Sequence, residues 1–486
     1  MTVRPLPLAA LVLPAVALCL TACTSSPGGH AAGSTTGATS PGDGVPVVVA
    51  VRAVCRLIAD NPDSAVAHIR GTDGAPSIVV GGTDYWFFGD TVRDGAGGRQ
   101  DVIPAAVATS SDFDGSDCVR LEFKKAAGTA EPLFPRLDET TSWPDGIIPL
   151  GDGSLAFYIV RAYRTSPFAW HVGGVGLGRV AAGTTDGVRT VETIWDEQSG
   201  FGSRIAGVRS PVRLGGDVIV YIRTDAGGNY VAKAPVDGIE RADAYRYWDG
   251  NGWSARPEDA ARMWESVETG FPADNGVSVS FDARSGKWLA ISNGELARVT
   301  ARVGDEPWGP WSAPATWFDC APLVEDAYPF CYSAEPHREL SGDPNTLYVT
   351  ISSQRPYDVT LLELRLGVAI HEWRAAGGEL RYGAAASGGV YADEGVAFYA
   401  GAGPAPGLSP VFLRDGAYKF DGRGYGPPAF YASASPATGA IRTTAVYRWR
   451  RDGQEALAAG ARDGWQRGEV AFYVPCAGAR GVSCDG

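Results

Sequence analysis

The chain has 486 residues, with 64 Gly, 33 Pro, 10% aromatic residues and a formal net charge of −13. Such a length can enclose two or three cores, and a turn-rich, aromatic composition suits many short strands better than long helices. The acidic balance argues against nucleic acid or an anionic membrane surface as the main partner, whereas a neutral glycan or a protein surface tolerates it.

In chain order, Arg4 precedes an apolar run from Leu6 to Leu20, too short to span a membrane as a mature helix. The run ends in Leu20-Thr21-Ala22-Cys23, which resembles the bacterial lipobox. That resemblance implies a signal peptide over 1–22, cleavage before Cys23, lipid on that cysteine, and an extracytoplasmic protein held at the cell membrane. The alternative is a plain secretory peptide with an incidental cysteine. Residues 23–45 are rich in Ser, Gly, Thr and Pro, cannot bury a core, and read as a flexible tether.

Six later cysteines remain, Cys55, Cys118, Cys320, Cys331, Cys476 and Cys484. An even count outside the cytoplasm suggests three disulfides, with other pairings open. Proximity favours Cys320–Cys331 and Cys476–Cys484, leaving Cys55 with Cys118. No CxxC pair or Cys/His cluster occurs, so neither a metal site nor a cofactor is expected.

The stretch from Gly71 to Thr91 reads as strands Ala75–Val80 and Thr83–Phe88 joined by Gly81-Gly82. Two glycines between β-rich runs signal a tight hairpin, because both accept positive φ. Folding there sets Val80 opposite Thr83 and, further out, Asp73 opposite Asp90. Opposed residues have Cβ atoms roughly 5 Å apart, and two carboxylates so placed raise one another's pKa. The structural alternative is that each acid caps a turn or accepts from a backbone N–H.

From Val47 to about Leu366, short apolar runs recur, among them Val119–Phe123, Leu155–Val160, Val218–Ile222, Val277–Phe281, Trp288–Ile291 and Leu347–Ile351. Only Pro257–Glu265 reads as a short helix. Asp112, Asp114 and Asp117 read as a hairpin turn, because the Gly and Glu of a calcium loop are misplaced. The span is long for one sandwich and comfortable for a five-bladed propeller with four strands per blade.

A family resemblance enters on ordered motifs: GTDG and YWFFGDT, Ser110-Ser111-Asp112-Phe113-Asp114, Ala244-Tyr245-Arg246-Tyr247-Trp248-Asp249-Gly250 with Trp253, Gly309-Pro310-Trp311-Ser312, and Tyr332 with His337-Arg338-Glu339-Leu340. In that order they are similar to an actinobacterial propeller family, long catalogued as a domain of unknown function, that includes endo-D-arabinanases. The resemblance implies an all-β, five-bladed propeller over 46–366 that acts as a glycosidase on an arabinan-type furanoside polymer. Arg338 stands where the family has proline, which implies a changed loop in the fifth blade.

The remainder, 371–486, carries an internal repeat: Ala397-Phe398-Tyr399-Ala400, Ala429-Phe430-Tyr431-Ala432 and Ala471-Phe472-Tyr473-Val474. Interleaved strands such as Ala445-Val446-Tyr447-Arg448-Trp449 resemble a β-repeat appended to bacterial secreted hydrolases. Repetition of one strand pair implies a small closed β module, trefoil-like, with the aromatics in its core, the alternative being platforms for a ligand.

No GxSxG elbow, HExxH, P-loop or dinucleotide fingerprint appears. Carboxylates are the remaining chemistry, since glycoside cleavage needs one acid to protonate the leaving oxygen and another to attack the sugar or activate water. Hairpin geometry and resemblance converge on Asp73 and Asp90. Asp145 is assigned as a third catalytic acid; Asp145, Glu335 and Glu339 could face the same funnel, and Asp145 or Glu339 could take one of the two roles, although Pro144-Asp145-Gly146 is equally an ordinary turn. Arg204 could bind sugar hydroxyls, hold a carboxylate ionised or lie on the surface. His337, alone of the histidines in a family-like motif, and Glu339 are assigned to substrate binding. The resemblance favours Asp73 as base or nucleophile and Asp90 as acid, an order that the residues themselves leave open. The rivals to an enzyme are a glycan-binding lipoprotein and a protein-docking scaffold.

Overall fold

The computed structural model describes residues 45–476, apart from 96–98, 135–139, 167–168, 182, 197–204, 225–227, 265–276, 294–296, 325–330, 385–390, 406, 415–416, 421–427 and 437–439. Alternating apolar residues bounded by turn glycines give antiparallel ladders throughout. In Val277–Asp282 and Lys287–Asn293 the pairing runs unbroken from Val277 opposite Ser292 to Asp282 opposite Lys287, around a turn in which Gly286 has φ 67°. The one α-helix among the described residues, Pro62–Val66, was not anticipated; Asn61 caps it by accepting from the Asp63 N–H, and proline opens it.

The expected helix over Pro257–Glu265 does not form. Only Pro257–Asp259 takes a 3₁₀ turn. Beyond it Ala261 N–H donates to Trp248 O and Met263 N–H to Asn229 O, both 2.8 Å. Carbonyls on the neighbouring sheet claim the donors a helix would use, so tertiary pairing overrides a weak local preference.

Among the described residues, five sheets of four or five strands follow one another, each beginning with an inner strand; in the first, a separate three-stranded sheet of Ile69–Gly71, Thr91–Asp94 and Gln100–Ile103 interrupts the meander. Their inner strands are Ser77–Val80, Thr140–Pro149, Ile205–Leu214, Val277–Asp282 and Cys331–His337, for sheets one to five. The fifth sheet is completed by the first described strand, Val48–Arg56, paired with Tyr357–Leu366. That pairing ties the entrance of the fold to its end and closes a propeller ring. Apolar clusters fill the spaces between neighbouring sheets, one uniting Phe87 and Val107 of sheet one with Phe157 and Ile159 of sheet two. Disulfides join Cys55 to Cys118 and Cys320 to Cys331. Cys476 is also disulfide-bonded, while Cys484 lies outside the described residues.

After Gly367, whose N–H donates to Val47 O at 2.7 Å, three three-stranded sheets are built around Val368–Ala375, Ser409–Arg414 and Thr443–Arg451. The repeated phenylalanines meet in their common core: Phe398, Phe430 and Phe472 contact one another with centroids 5.4–5.5 Å apart. All three are buried, so the repeat encodes packing.

Candidate active site

Three of the five inner strands break their ladder at the same relative place. In sheet two Pro144 faces Ile159 and Ile147 faces Phe157, so one residue is extra around Asp145. In sheet three Arg209 faces Tyr221 and Val212 faces Ile219, with Ser210 at φ 39°. In sheet five Tyr332 faces Ser352 and Glu335 faces Thr350, with Ser333 at φ 51°. Each is a β-bulge, which re-aims side chains and is frequent beside active sites. Ser352 and Thr350 share one face of their strand, so the bulge turns Tyr332 and Glu335 to the same side, which a regular strand would not do. Positive φ at two non-glycine residues stores local strain where polar groups converge.

What converges is a set of acids around one cation. Arg209 contacts Asp145 through Nε at 2.5 Å and Glu335 Oε1 through Nη1 at 2.9 Å, and donates to Ser333 Oγ at 3.2 Å. Asp145 also accepts from the Val208 N–H at 2.8 Å, and Ser278 donates to Glu335. Sheets two, three, four and five thus meet side chain to side chain, which places the cluster at the propeller axis. Glycine makes the approach possible: a Cβ on Gly207 would lie 2.7 Å from Asp145 Oδ2. Burial raises the pKa of Asp145 and of Glu335, and in both Arg209 is the chief opposing influence. For Arg209 burial disfavours the cation, but the charges of Asp145, Glu335 and Asp73 outweigh it and the pKa rises.

Sheet one supplies the remaining two acids. The hairpin keeps the expected register from Val80 opposite Thr83 to Ser77 opposite Trp86, and Gly81 and Gly82 have φ 61° and 83°. Beyond Pro76 the chain turns at Gly74, φ 60°, and Gly89 rather than Asp90 donates to Asp73 O, at 2.7 Å. Asp73 and Asp90 are therefore neighbours offset by one residue, not opposed. A Cβ on Gly89 would lie 2.4 Å from Asp73 Oδ1, so only glycine leaves room for that carboxylate.

Asp73 Oδ2 accepts from the Tyr332 hydroxyl at 2.8 Å. Desolvation, then the charge of Asp90, pushes the Asp73 carboxyl up to about 6, against hydrogen bonds from Tyr332 and Tyr357 and the charge of Arg209. Asp90 Oδ1 accepts from Thr141 Oγ1 at 2.7 Å and Trp143 Nε1 at 3.0 Å, and its backbone carbonyl accepts from Tyr357 at 2.8 Å. Two donors on one oxygen favour its ionised form. Around pH 6 Asp73 can thus hold a proton beside a hydrogen-bonded Asp90, an arrangement that acid–base chemistry can use.

The assigned substrate-binding residues fare differently. His337 is fully buried, with Nδ1 2.7 Å from Ser77 Oγ and 3.2 Å from Glu339 Oε1, and Nε2 2.8 Å from Thr350 Oγ1. Both ring nitrogens are engaged, so it does not present itself to a substrate; its expected role is corrected to an internal one. Glu339 keeps partial exposure, but its Oε1 is committed to Ser77 and His337. Arg204 lies outside the described residues. Arg338, the departure from the family pattern, opens a 3₁₀ turn and reaches Ser280 and Asp282 at 3.3 and 3.5 Å.

The sequence reading missed Arg209, Tyr332 and Tyr357 as site residues. Pro144, Pro211 and Pro336 were the available signal, because proline inside a strand-like run marks an edge strand or a bulge. Each sits in an inner strand beside an engaged residue.

A family model described as "Domain of unknown function (DUF4185)" matches residues 59–363. No curated protein matches the chain by sequence. Among solved structures, the chain is similar to a hydrolase candidate from Bacteroides ovatus at 12% identity, covering 62% of this chain and 86% of that one, with a TM-score of 0.46. It is similar to an α-L-arabinofuranosidase from Podospora anserina, solved with cellotriose, at 11% identity, 66% and 99% coverage and a TM-score of 0.39. A third is a GH43_1 enzyme from Xanthomonas citri complexed with xylotriose, at 13% identity, 68% and 93% coverage and a TM-score of 0.37.

Proposed function

The chain belongs to the DUF4185 family, and from that membership together with its axial acids we propose that it is a glycoside hydrolase. The observation that carries the reading is the Asp73–Asp90 pair: two adjacent acids, one desolvated and raised to about 6, the other held by two donors. Protonated Asp73 donates to the glycosidic oxygen as its bond to the anomeric carbon breaks. Asp90, as carboxylate, attacks the anomeric carbon or takes a proton from the attacking water. This reverses the order suggested by the motif resemblance; the desolvation that raises the Asp73 carboxyl supports the exchange. Arg209 pairs with both Asp145 and Glu335 beside the pair and reduces the negative charge buried there.

The substrate class follows from the motif resemblance: an arabinan-type furanoside polymer of the cell envelope, cut internally. The Leu20–Cys23 motif supports attachment to the membrane through lipid on Cys23. Incubating the mature protein with arabinogalactan, arabinan and mannan, then analysing released sugars, tests the reading. Arabinose-containing oligosaccharides are the expected products, and no release from any polymer would overturn it in favour of glycan binding. Cys23→Ala is expected to leave the membrane fraction or remain uncleaved; unchanged detergent partitioning would contradict the anchor.

A further inference from the structure

The Tyr332 hydroxyl touches the proposed acid directly, donating to Asp73 Oδ2 at 2.8 Å, and several features of the fold place it there. Cys331, the residue before it, is tied to Cys320 by a disulfide, and Ser333, the residue after it, has φ 51°. The bulge between Tyr332 and Glu335 turns its side chain to the axial side. The backbone of the acid is fixed independently. Thr72 N–H donates to Tyr357 O at 3.2 Å, and Gly74 N–H donates to Ser352 Oγ at 2.9 Å. Sheet five therefore grips the chain on both sides of Asp73 without help from the phenol.

With Oδ2 accepting from Tyr332, a proton on the carboxyl belongs on Oδ1, because a carboxylic acid accepts best at the oxygen that carries no hydrogen. Oδ1 lies against Gly89, where a Cβ would collide with it. The proton passes to the glycosidic oxygen, which keeps the electron pair of the broken C–O bond. Negative charge then appears on the carboxylate that the phenol faces. A hydrogen bond to a charged acceptor is stronger than one to a neutral acceptor, so the contact tightens as the proton leaves. Burial, then the Asp73 charge, holds the Tyr332 hydroxyl well above its ordinary pKa, so it remains a donor wherever Asp73 titrates.

We propose that Tyr332 is a positioning residue for the general acid: its hydroxyl fixes Oδ2, leaves the proton on Oδ1, and stabilises the carboxylate formed when that proton is given up. The proposal deepens the glycosidase reading and rests on it for its catalytic consequence. The charged and titratable groups facing Asp73 are Asp90 from sheet one, Arg209 from sheet three, and Tyr332 and Tyr357 from sheet five. Tyr332 donates to the carboxyl itself, whereas Tyr357 donates to the Asp90 backbone carbonyl at 2.8 Å. Desolvation and the Asp90 charge raise the Asp73 carboxyl to about 6, and the Tyr332 bond opposes that rise. Its loss therefore moves the Asp73 midpoint further up.

The experiment has two arms. In the first, aspartate carboxyl carbons are labelled and followed through a pH titration of the whole mature protein. Asp84, on the second strand of the same hairpin, is the internal reference: it is fully buried, accepts from Trp86 Nε1 at 2.7 Å, and is raised to about 7, chiefly by desolvation. Asp73→Asn and Asp84→Asn identify the two signals. In Tyr332→Phe, which keeps the ring, the Asp73 midpoint is expected to rise by about 0.5 pH unit or more while that of Asp84 stays in place. An unmoved Asp73, or an equal displacement of both acids as general loosening would give, overturns the proposal whether or not any glycan is hydrolysed. In the second arm, kcat against pH is compared on a polymer the wild type cleaves. Tyr332→Phe is expected to lower the plateau about tenfold or more at unaltered KM, and to carry the limb that falls with rising pH upward with the Asp73 midpoint. A plateau equal to the wild type's overturns the stabilisation of the carboxylate while leaving the glycosidase reading intact. Gly89→Ala, whose Cβ displaces Oδ1, is expected to lose turnover at every pH, and a near-wild-type kcat there overturns the assignment of the proton to Oδ1. Absence of cleavage by the wild type overturns the glycosidase reading, and the first arm still decides whether Tyr332 governs Asp73.

Discussion

The axial end of the propeller and the C-terminal module are both made of antiparallel strands rich in aromatic residues, yet they bury opposite things. The module buries three equivalent phenylalanines, and Glu372, strongly buried there, is matched by Arg462 at 2.7 and 3.1 Å and by the Tyr382 hydroxyl. The axis buries Asp145 and Glu335 around Arg209, beside a partly buried Asp73 raised to about 6. Repetition marks the first region; the ladders of both are interrupted, but in the second the breaks in the inner strands fall beside the acids and Arg209. Bulges cost pairing, and beside the axial acids they re-aim side chains.

Breaking each region should therefore do different damage. Arg209→Met leaves Asp145 and Glu335 buried beside each other without their cation, a loss of about 3–5 kcal/mol. Chemical denaturation should show that fall, with activity per folded molecule also reduced. Phe430→Ala removes one member of the aromatic triad and should cost about 3–5 kcal/mol. Specific activity of the remaining folded protein should stay near wild type; a matching loss of turnover would mean that the module serves the site.

Asp84→Asn sharpens the comparison through pH. Its folded-state carboxyl, at about 7, lies above the ordinary 3.8. Below the ordinary value both folded and unfolded states are protonated and nothing is lost. As pH rises towards 7 the unfolded state ionises first, so the wild type loses stability that the amide variant keeps. The variant's melting temperature should accordingly exceed the wild type's at pH 8 and approach it at pH 4; the reverse order would contradict a buried, reluctant acid. The smallest effect belongs to the exposed pair Arg450–Glu469, at 3.3 Å on the module surface. Glu469→Ala should change stability by under about 1 kcal/mol.

Local chemistry made the opening hairpin legible: two glycines specified its turn, and the register followed to Ser77 opposite Trp86. The Phe-Tyr repeat was legible for the same reason, since one strand pair recurs with its aromatic residues in place. Arg209 was not, because its partner Glu335 is 126 residues away and meets it only after the ring closes. His337 stood in a recognisable motif, but a motif does not reveal that both nitrogens face inward. Pro257–Glu265 has the look of a helix, and the edge of sheet three takes its donors instead.

The central claim, that Asp73 and Asp90 share the proton and the charge of a glycoside cleavage, is tested most directly by Asp73→Asn and Asp90→Asn on a polymer that the parent cleaves. Each substitution keeps size and removes the titrating group. Turnover should fall roughly 10²-fold or more in both, with folding retained, and Asp73→Asn should abolish the pH dependence centred near 6. Near-wild-type turnover in both folded variants would contradict the assignment.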